Sequence, residues 1–474
     1  MQRINSVKRS DIIPKVVFIC TTALFALAFQ TSIVADSEPP VLRNMTLKDA
    51  IRLALEHNRF ILDAHSDRVV KHFSLQVAED RWHPRVSLKP FVSRDREDRI
   101  AGASAEVILR VQTGGQFTIQ WDETLSHNFE DSRKQTLRFS QPLLKGAWKE
   151  IDSAPVRQAR LEDQINALGF TGAVSDLVER VIGSYRSLIG ATRQVQISIT
   201  SLSRARQQLE ATRSLIEAGR VAEREALHSE VTIANRKLAL VRARNRLDAA
   251  NAELVAILNL SPANRVNPIG RLEAEHGQGE TTLRLEEVLQ SRIDYKQAEL
   301  RLDIAHIKLS LARNNLLPDV SLAVETTRED PGRRTDSSVR LDAHIPLNDR
   351  STELEHLRAQ NELEKAQRGL IGLRDLIGIE LQQTINDVEV GFQLTQLALK
   401  ARELAEENLE IEKKKFAQGL SSSFEVAASE DELVRAEQDQ VETTLSWLDA
   451  LTRFDRVSGH TLERWGIGLE MFGR

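Results

Sequence analysis

A single cysteine, two tyrosines and five tryptophans are all the chain holds of those types in 474 residues. Cys20 sits in an apolar stretch near the start, so the rest of the chain has no disulfide framework and no cysteine metal site. Proline is absent between Pro155 and Pro262, which leaves helix free to run unbroken there. Beyond residue 35 there is no apolar run of about eighteen residues, so any later membrane crossing is not made by a helix. Neither sign of charge dominates: the formal net charge is −5, and nothing in it points to nucleic acid. There is also no P-loop, nucleophile elbow, GxGxxG or HExxH, so the sequence offers no enzyme and no cofactor reading. His57, His65 and His72 fall near one helical face, but the intervening turns lack ligands, so no metal site is expected.

What the chain does have is Leu, Ala, Glu, Arg and Gln, with aromatics at 5%, a composition that leans towards long helices and coiled coils. The first 35 residues read as a secretory signal peptide. Arg3, Lys8, Arg9 and Lys15 make a basic start, Val16 to Phe29 an apolar core, and Ala35 a small residue before Asp36. Ile19 is not the small residue a lipid-attachment cysteine wants before it, so Cys20 is filler in that core. Removing this leader, with four basic residues and one acidic residue, takes the net charge from −5 to −8.

The remainder repeats itself. The segments beginning MTLKDAIRLALEHNRF at Met45 and LRLEEVLQSRIDYKQAELRL at Leu283 are amphipathic helical patterns. They end in nearly the same words, WHPRVSL at Trp82–Leu88 and LLPDVSL at Leu316–Leu322, where a proline stops the helix and alternation begins. Later, IEAGRV and FAQGLS each interrupt a long helical pattern with one glycine, Gly219 and Gly419. The order helix, strands, long helix, glycine break, helix therefore occurs twice.

Val174, Val178, Val181, Tyr185, Leu188, Thr192, Val195, Ile199, Leu202, Arg206 and Leu209 alternate steps of four and three, a heptad seam. After Gly219 the rhythm resumes with Leu227, Val231, Leu238 and Val241, and Leu370 to Phe392 carries a looser stripe in the second copy. The glycines are expected to reverse each long helix into an antiparallel pair. Among the strands, Val86, Leu88 and Val92 alternate with polar residues, as do Val107, Leu109 and Val111, then Phe117, Ile119 and Trp121, then Leu137 and Phe139. The second copy offers Val320, Leu322 and Val324, then Val339, Leu341 and Ala343. Strands with one apolar face suit a transmembrane barrel and also a half-buried soluble sheet. One chain offers four to six of them, too few to close a barrel alone.

TLKDAIRLALEHN at Thr46–Asn58, the two junctions, FSQPLLKG at Phe139–Gly146, the two glycine breaks and SGHTLE at Ser458–Glu463 together resemble the TolC-like outer membrane efflux protein family. The resemblance covers essentially the whole chain after the leader. It implies a mainly helical fold with membrane strands, in which a homotrimer builds an α-helical barrel and one shared transmembrane β-barrel. It divides the chain into repeats at 36–270, with a hairpin region at 84–144, and 271–474, with a hairpin at 318–347.

The implied function is a passive outer-membrane duct of a tripartite efflux or type I secretion system. Outer-membrane lipid, a periplasmic adaptor and an inner-membrane pump or secretion ATPase are its implied partners. The tips at Gly219 and Gly419 match the family's adaptor-docking turns. Glu425 matches the first of two acidic residues that narrow the family's periplasmic pore, while Ala428 stands where the second would be. Val107, Leu109, Val339 and Leu341 are the expected membrane-facing strand residues. Around Ser104–Asp122 the first repeat carries extra chain, either two further strands or an external loop. The rival reading is an exported coiled-coil scaffold that conducts nothing.

Overall fold

The computed structural model describes residues 42–94, 99–126, 131–270, 283–330, 334–347 and 350–468; the leader expected at 1–35 lies outside them. The first half runs β1 (Leu42–Met45), α1 (Leu47–His57), α2 (Arg59–Glu79), β2 (Arg85–Arg94), β3 (Arg99–Arg110), β4 (Gln116–Ser126), β5 (Ser132–Pro142), α3 (Lys149–Asp152), α4 (Ala154–Glu217), α5 (Arg224–Ile257) and β6 (Arg265–Pro268). The second runs α6 (Leu285–Ser291), α7 (Ile293–Asn315), β7 (Asp319–Asp330), β8 (Arg334–His344), α8 (Arg350–Ala417), α9 (Ser423–Ser458) and α10 (Thr461–Arg464). The duplicated order is therefore present. The extra chain of the first repeat is two strands, β3 and β4, and not an external loop.

Local chemistry sets the boundaries. Thr46 opens α1 with a capping box, its hydroxyl accepting from the Asp49 amide at 3.3 Å while the Asp49 carboxylate accepts from the Thr46 amide at 3.1 Å. Each opening helical pattern is broken once, which the sequence did not announce. At Asn58 the backbone turns extended between α1 and α2, and the side chain caps Phe60 N at 3.0 Å while donating to Ile257 O at 2.8 Å. Arg292 holds the matching place between α6 and α7, its guanidinium shared by Asp294 at 2.7 Å and Glu380 at 3.1 Å. A parallel pair, β1 with β6, was likewise not foreseen.

The long helices α4 and α8, of 64 and 68 residues, span roughly 100 Å each. Two shorter helices lie end to end along each of them: α2 and α5 along α4, α7 and α9 along α8. The main core sits at the middle of α4, where Ile51, Ala54 and Leu55 of α1 and Leu254 and Leu258 meet Val174, Val178, Val181 and Leu188. Tyr185 closes it by donating its hydroxyl proton towards Met45 O at 2.8 Å and Ile269 O at 3.1 Å. In the second repeat, Val288 and Leu289 of α6 pack in the same way on Ile377, Leu381 and Phe454.

Below Leu188 the seam departs from the expected heptad. Ser198, Ser201, Leu202, Ala205, Leu209 and Thr212 are buried, whereas Ile199 and Arg206 are exposed. Small residues carry the seam there because α9 also packs onto α4, and Arg204 reaches across to it. Its Nε donates to Glu430 at 2.6 Å and its Nη2 to Glu437 at 3.3 Å, while Arg236 pairs with Asp431. Burial pushes the Glu430 carboxyl up, opposed by the hydrogen bond from Arg204. Removing the guanidinium strands a buried carboxylate. Arg204→Ala is expected to destabilise the helical body by about 3–5 kcal/mol in denaturant unfolding of the helical signal, and Glu430→Gln to recover part of that loss in the double variant.

Candidate functional site

The strands form one six-stranded antiparallel sheet in the order β2-β3-β4-β5-β7-β8. Its register sorts the side chains by face. Val86 lies opposite Val107, Val107 opposite Ile119, and Ile119 opposite Leu137. In the adjoining row Leu109, Phe117, Phe139, Val324 and Val339 face one another in turn, and Leu322 faces Leu341. All four expected membrane-facing residues stand on this apolar face: Val107 and Leu109 half-buried between neighbours, Val339 and Leu341 73% and 66% exposed. Among the described residues no other element packs over it; its strands contact one another and, at one end, the helix junctions.

The opposite face is polar and balanced in charge. Lys89 pairs with Glu106 at 3.5 Å, Lys134 with Glu329 at 3.5 Å, and Arg138 with Glu325, while Ser104 donates to Asp122 at 2.5 Å. A sheet with one exposed apolar face and one paired, charged face suits a boundary between lipid and water.

The helices lie side by side in the same order as the strands they join. Beside the sheet the row is α2, α4, α7, α8; beyond the central core it is α5, α4, α9, α8. Among the described residues, both ends of the row carry apolar seams left exposed. On α8 they are Val390, Leu394, Leu397, Leu404 and Ile411; on α5, Leu227, Val231, Leu238 and Val241; on α2, Leu62, Val69, Phe73 and Val77. The α8 and α5 sets keep steps of three, four or seven, the spacing of a helix-pairing stripe. The stripe read from the sequence after Gly219 therefore lies at the outer edge of the row.

At the far end, α4 and α8 both turn through a glycine in the left-handed region, Gly219 at φ 69° and Gly419 at φ 77°. The amides of Gly219 and Arg220 donate to Ile216 and Leu215, both at 2.9 Å, and those of Gly419 and Leu420 donate to Phe416 and Lys415, also at 2.9 Å. This is a Schellman closure in each copy. A Cβ at either glycine meets open space, so the requirement is conformational. Glu425 closes the capping box of α9: its carboxylate accepts from Ser422 N at 2.8 Å and Ser421 Oγ at 2.8 Å. The Ser422 amide and then the Ser421 hydroxyl hold that carboxyl below its ordinary value, so it is ionised at neutral pH. The two tips touch, with Ser423 Oγ donating to Glu225 and the His228 and Phe424 rings 5.6 Å apart.

The family described as outer membrane efflux proteins matches residues 50–260 and 285–460, most of both repeats. The chain belongs to the outer membrane efflux protein family. Solved structures agree in fold at low identity. The outer membrane protein VceC of Vibrio cholerae is 15% identical with a TM-score of 0.67, over 87% of this chain and 96% of that one. The Campylobacter jejuni CmeC outer membrane channel is 13% identical with a TM-score of 0.68, over 88% and 86%. The open-state MtrE channel of Neisseria gonorrhoeae is 14% identical with a TM-score of 0.59, over 88% and 89%. No curated protein sequence matches the chain.

This chain is thus an outer membrane efflux protein by family, and the apolar sheet face and the helix row are its candidate functional surfaces. Among the described residues no helix is long and apolar enough to cross a membrane. The four sheet residues named from the sequence stand on the apolar face, and both glycines stand at helix reversals. Sequence reasoning missed the capping role of Glu425, whose signal was the serine run Ser421–Ser423 just before it. In the efflux protein, Gly419→Ala is expected to strain the tip by about 1–2 kcal/mol. Amide exchange should quicken over residues 415–425 and stay unchanged in the sheet; equal protection at the tip would refute the turn's need for glycine.

Proposed function

We propose that three copies of the efflux protein close edge to edge into a hollow tube, a passive exit duct that meets a periplasmic adaptor and an inner-membrane pump at its helical tips. The observation that carries this reading is the pair of open edges. The sheet ends at β2 and β8, the helix row at α2 with α5 and at α8, and each pair of ends lies on matching sides. Uncovered apolar seams at both ends of one helix row suit a head-to-tail contact that closes as a ring. Twelve helices from three chains leave a hollow centre, and the twofold repeat, divided near residue 270, makes neighbouring units nearly alike.

Within this duct the apolar sheet face meets outer-membrane lipid, and the tips at Gly219 and Gly419 are the adaptor-docking ends. Three copies of Glu425 form one ring of negative charge at the narrow end, with Ala428 leaving the second ring of the family pattern unmade. The balanced charges on the polar sheet face support a pore whose ion preference is set away from the membrane.

Leu341→Lys and Val107→Lys are expected to cost about 2–4 kcal/mol each at mid-bilayer depth and to block membrane assembly, measured as heat-resistant oligomer in the outer-membrane fraction. A scaffold that conducts nothing would tolerate both. Glu425→Gln keeps an acceptor for Ser422 N and removes the charge. In planar bilayers it should lower cation preference with little change in conductance, and unaltered selectivity removes Glu425 from the pore.

A further inference from the structure

We infer that neighbouring protomers pair β8 with β2, Lys89 opposite Asp342, closing a barrel of three six-stranded sheets that is as wide as the helical ring beneath it. The inference rests on the trimer of the preceding section. It goes further in fixing strand number, register and bore.

Strand direction permits the joint. With six strands in strict antiparallel order, β2 and β8 run opposite ways, so β8 of one chain meets β2 of the next antiparallel. Both are bare edges, and β8 is exposed along its whole length.

The apolar band shows how the sheet is tilted. On β2 the apolar face is Val86, Leu88, Pro90 and Val92; on β8 it is Val339, Leu341 and Ala343. These sets do not lie in one row. The row through Leu88 reaches Ala105 and Trp121 and then turns polar at Gln135, Arg328 and Thr335. The row through Leu341 and Leu322 reaches Gln141. Centred on residue 89 of β2, whose row ends at Arg334, the band has slid to Leu341 by β8, about seven residues at ~3.3 Å each. Five strand spacings of ~4.8 Å separate them, so the band crosses the strands at about 45°. That is the strand tilt of a closed barrel.

Tilt and number fix the width. Eighteen strands at that spacing and tilt close to ~40 Å across the backbone. Twelve helices about 10 Å apart close to ~38 Å between axes. Without the β3–β4 hairpin each chain would bring four strands, and twelve in all would close to only ~26 Å at the same tilt. The added hairpin therefore matches the membrane wall to the helical wall. It is anchored for that role: Thr113 O in its turn accepts from Trp148 N at 3.2 Å and Gln141 Nε2 at 3.0 Å, tying it to the linker that enters α4.

Carrying the drift across the joint leaves one register with complementary partners. It sets Lys89 opposite Asp342 on the polar face, and Val92 opposite Val339 and Val86 opposite Ile345 on the apolar face. Lys89→Cys with Asp342→Cys, in a Cys20→Ala background, should oxidise to covalent dimers and trimers on a non-reducing denaturing gel. Lys89→Cys with Asp336→Cys, displaced along the strand, should not. A bond within one chain, or none, overturns the joint. Projection images of the intact protein in lipid nanodiscs separate the two readings. A threefold ring with a wall ~40 Å across supports the inference, and a threefold ring near ~26 Å overturns it and leaves the trimer standing. Particles without threefold symmetry refute the trimer itself.

Discussion

The backbone hydrogen bonds that β2 and β8 leave unmade are the constraint on which the rest of this structure depends. In water an open edge is tolerable; in hydrocarbon each unpaired amide or carbonyl costs several kcal/mol, so a lipid-facing sheet has to close. Six strands are fewer than the eight of the smallest membrane barrels, so one chain does not close alone in lipid. Their even number and alternating direction nevertheless leave two ends that suit each other. The helices obey the same logic with a different interaction. Their seams at α8 and at α2 with α5 are apolar stripes in search of a partner helix, set on the same two sides as the open strands. Hydrogen bonding above and hydrophobic packing below therefore call for the same neighbour.

Duplication relates these two layers. A proline junction ends the opening helices in each repeat, and the strand that follows inherits its place in the row from the helix before it. Asn58 and Arg292 do equivalent work at equivalent places with different chemistry, a side-chain amide in one copy and an ion-pairing guanidinium in the other. The repeats differ most in the sheet, where the first carries β3 and β4 and the second, among the described residues, has no counterpart. The helix row keeps four positions per chain, so in the proposed trimer the extra hairpin widens the barrel and leaves the number of helices in the tube unchanged.

Much of this was legible in the sequence, for identifiable reasons. Alternation at Val107–Val111 and Phe117–Trp121 marks strands because period-two burial leaves no other reading once glycines punctuate it. Gly219 and Gly419 mark reversals because an uninterrupted helix has no use for a left-handed residue. The breaks at Asn58 and Arg292 were not legible, since their partners, Ile257 and Glu380, lie far along the chain. Nor was the switch of seam near Ser198, where tight packing against α9 favours small polar residues that look like surface. The stripe at Leu227–Val241 was legible as a continuing helical seam, but not its exposure at the edge of the row, because periodicity reports an apolar face and not what covers it. Glu425 was recognised by position, while its capping bonds to Ser421 and Ser422 are a local role that position alone does not show.

The central claim is that this chain's two edges are completed by further copies of itself. Native mass spectrometry of the protein extracted from outer membranes in mild detergent tests that most directly. The account predicts one dominant species of three chains that holds together until detergent is stripped. A monomer with its sheet intact, or an assembly of two or four chains, would contradict it.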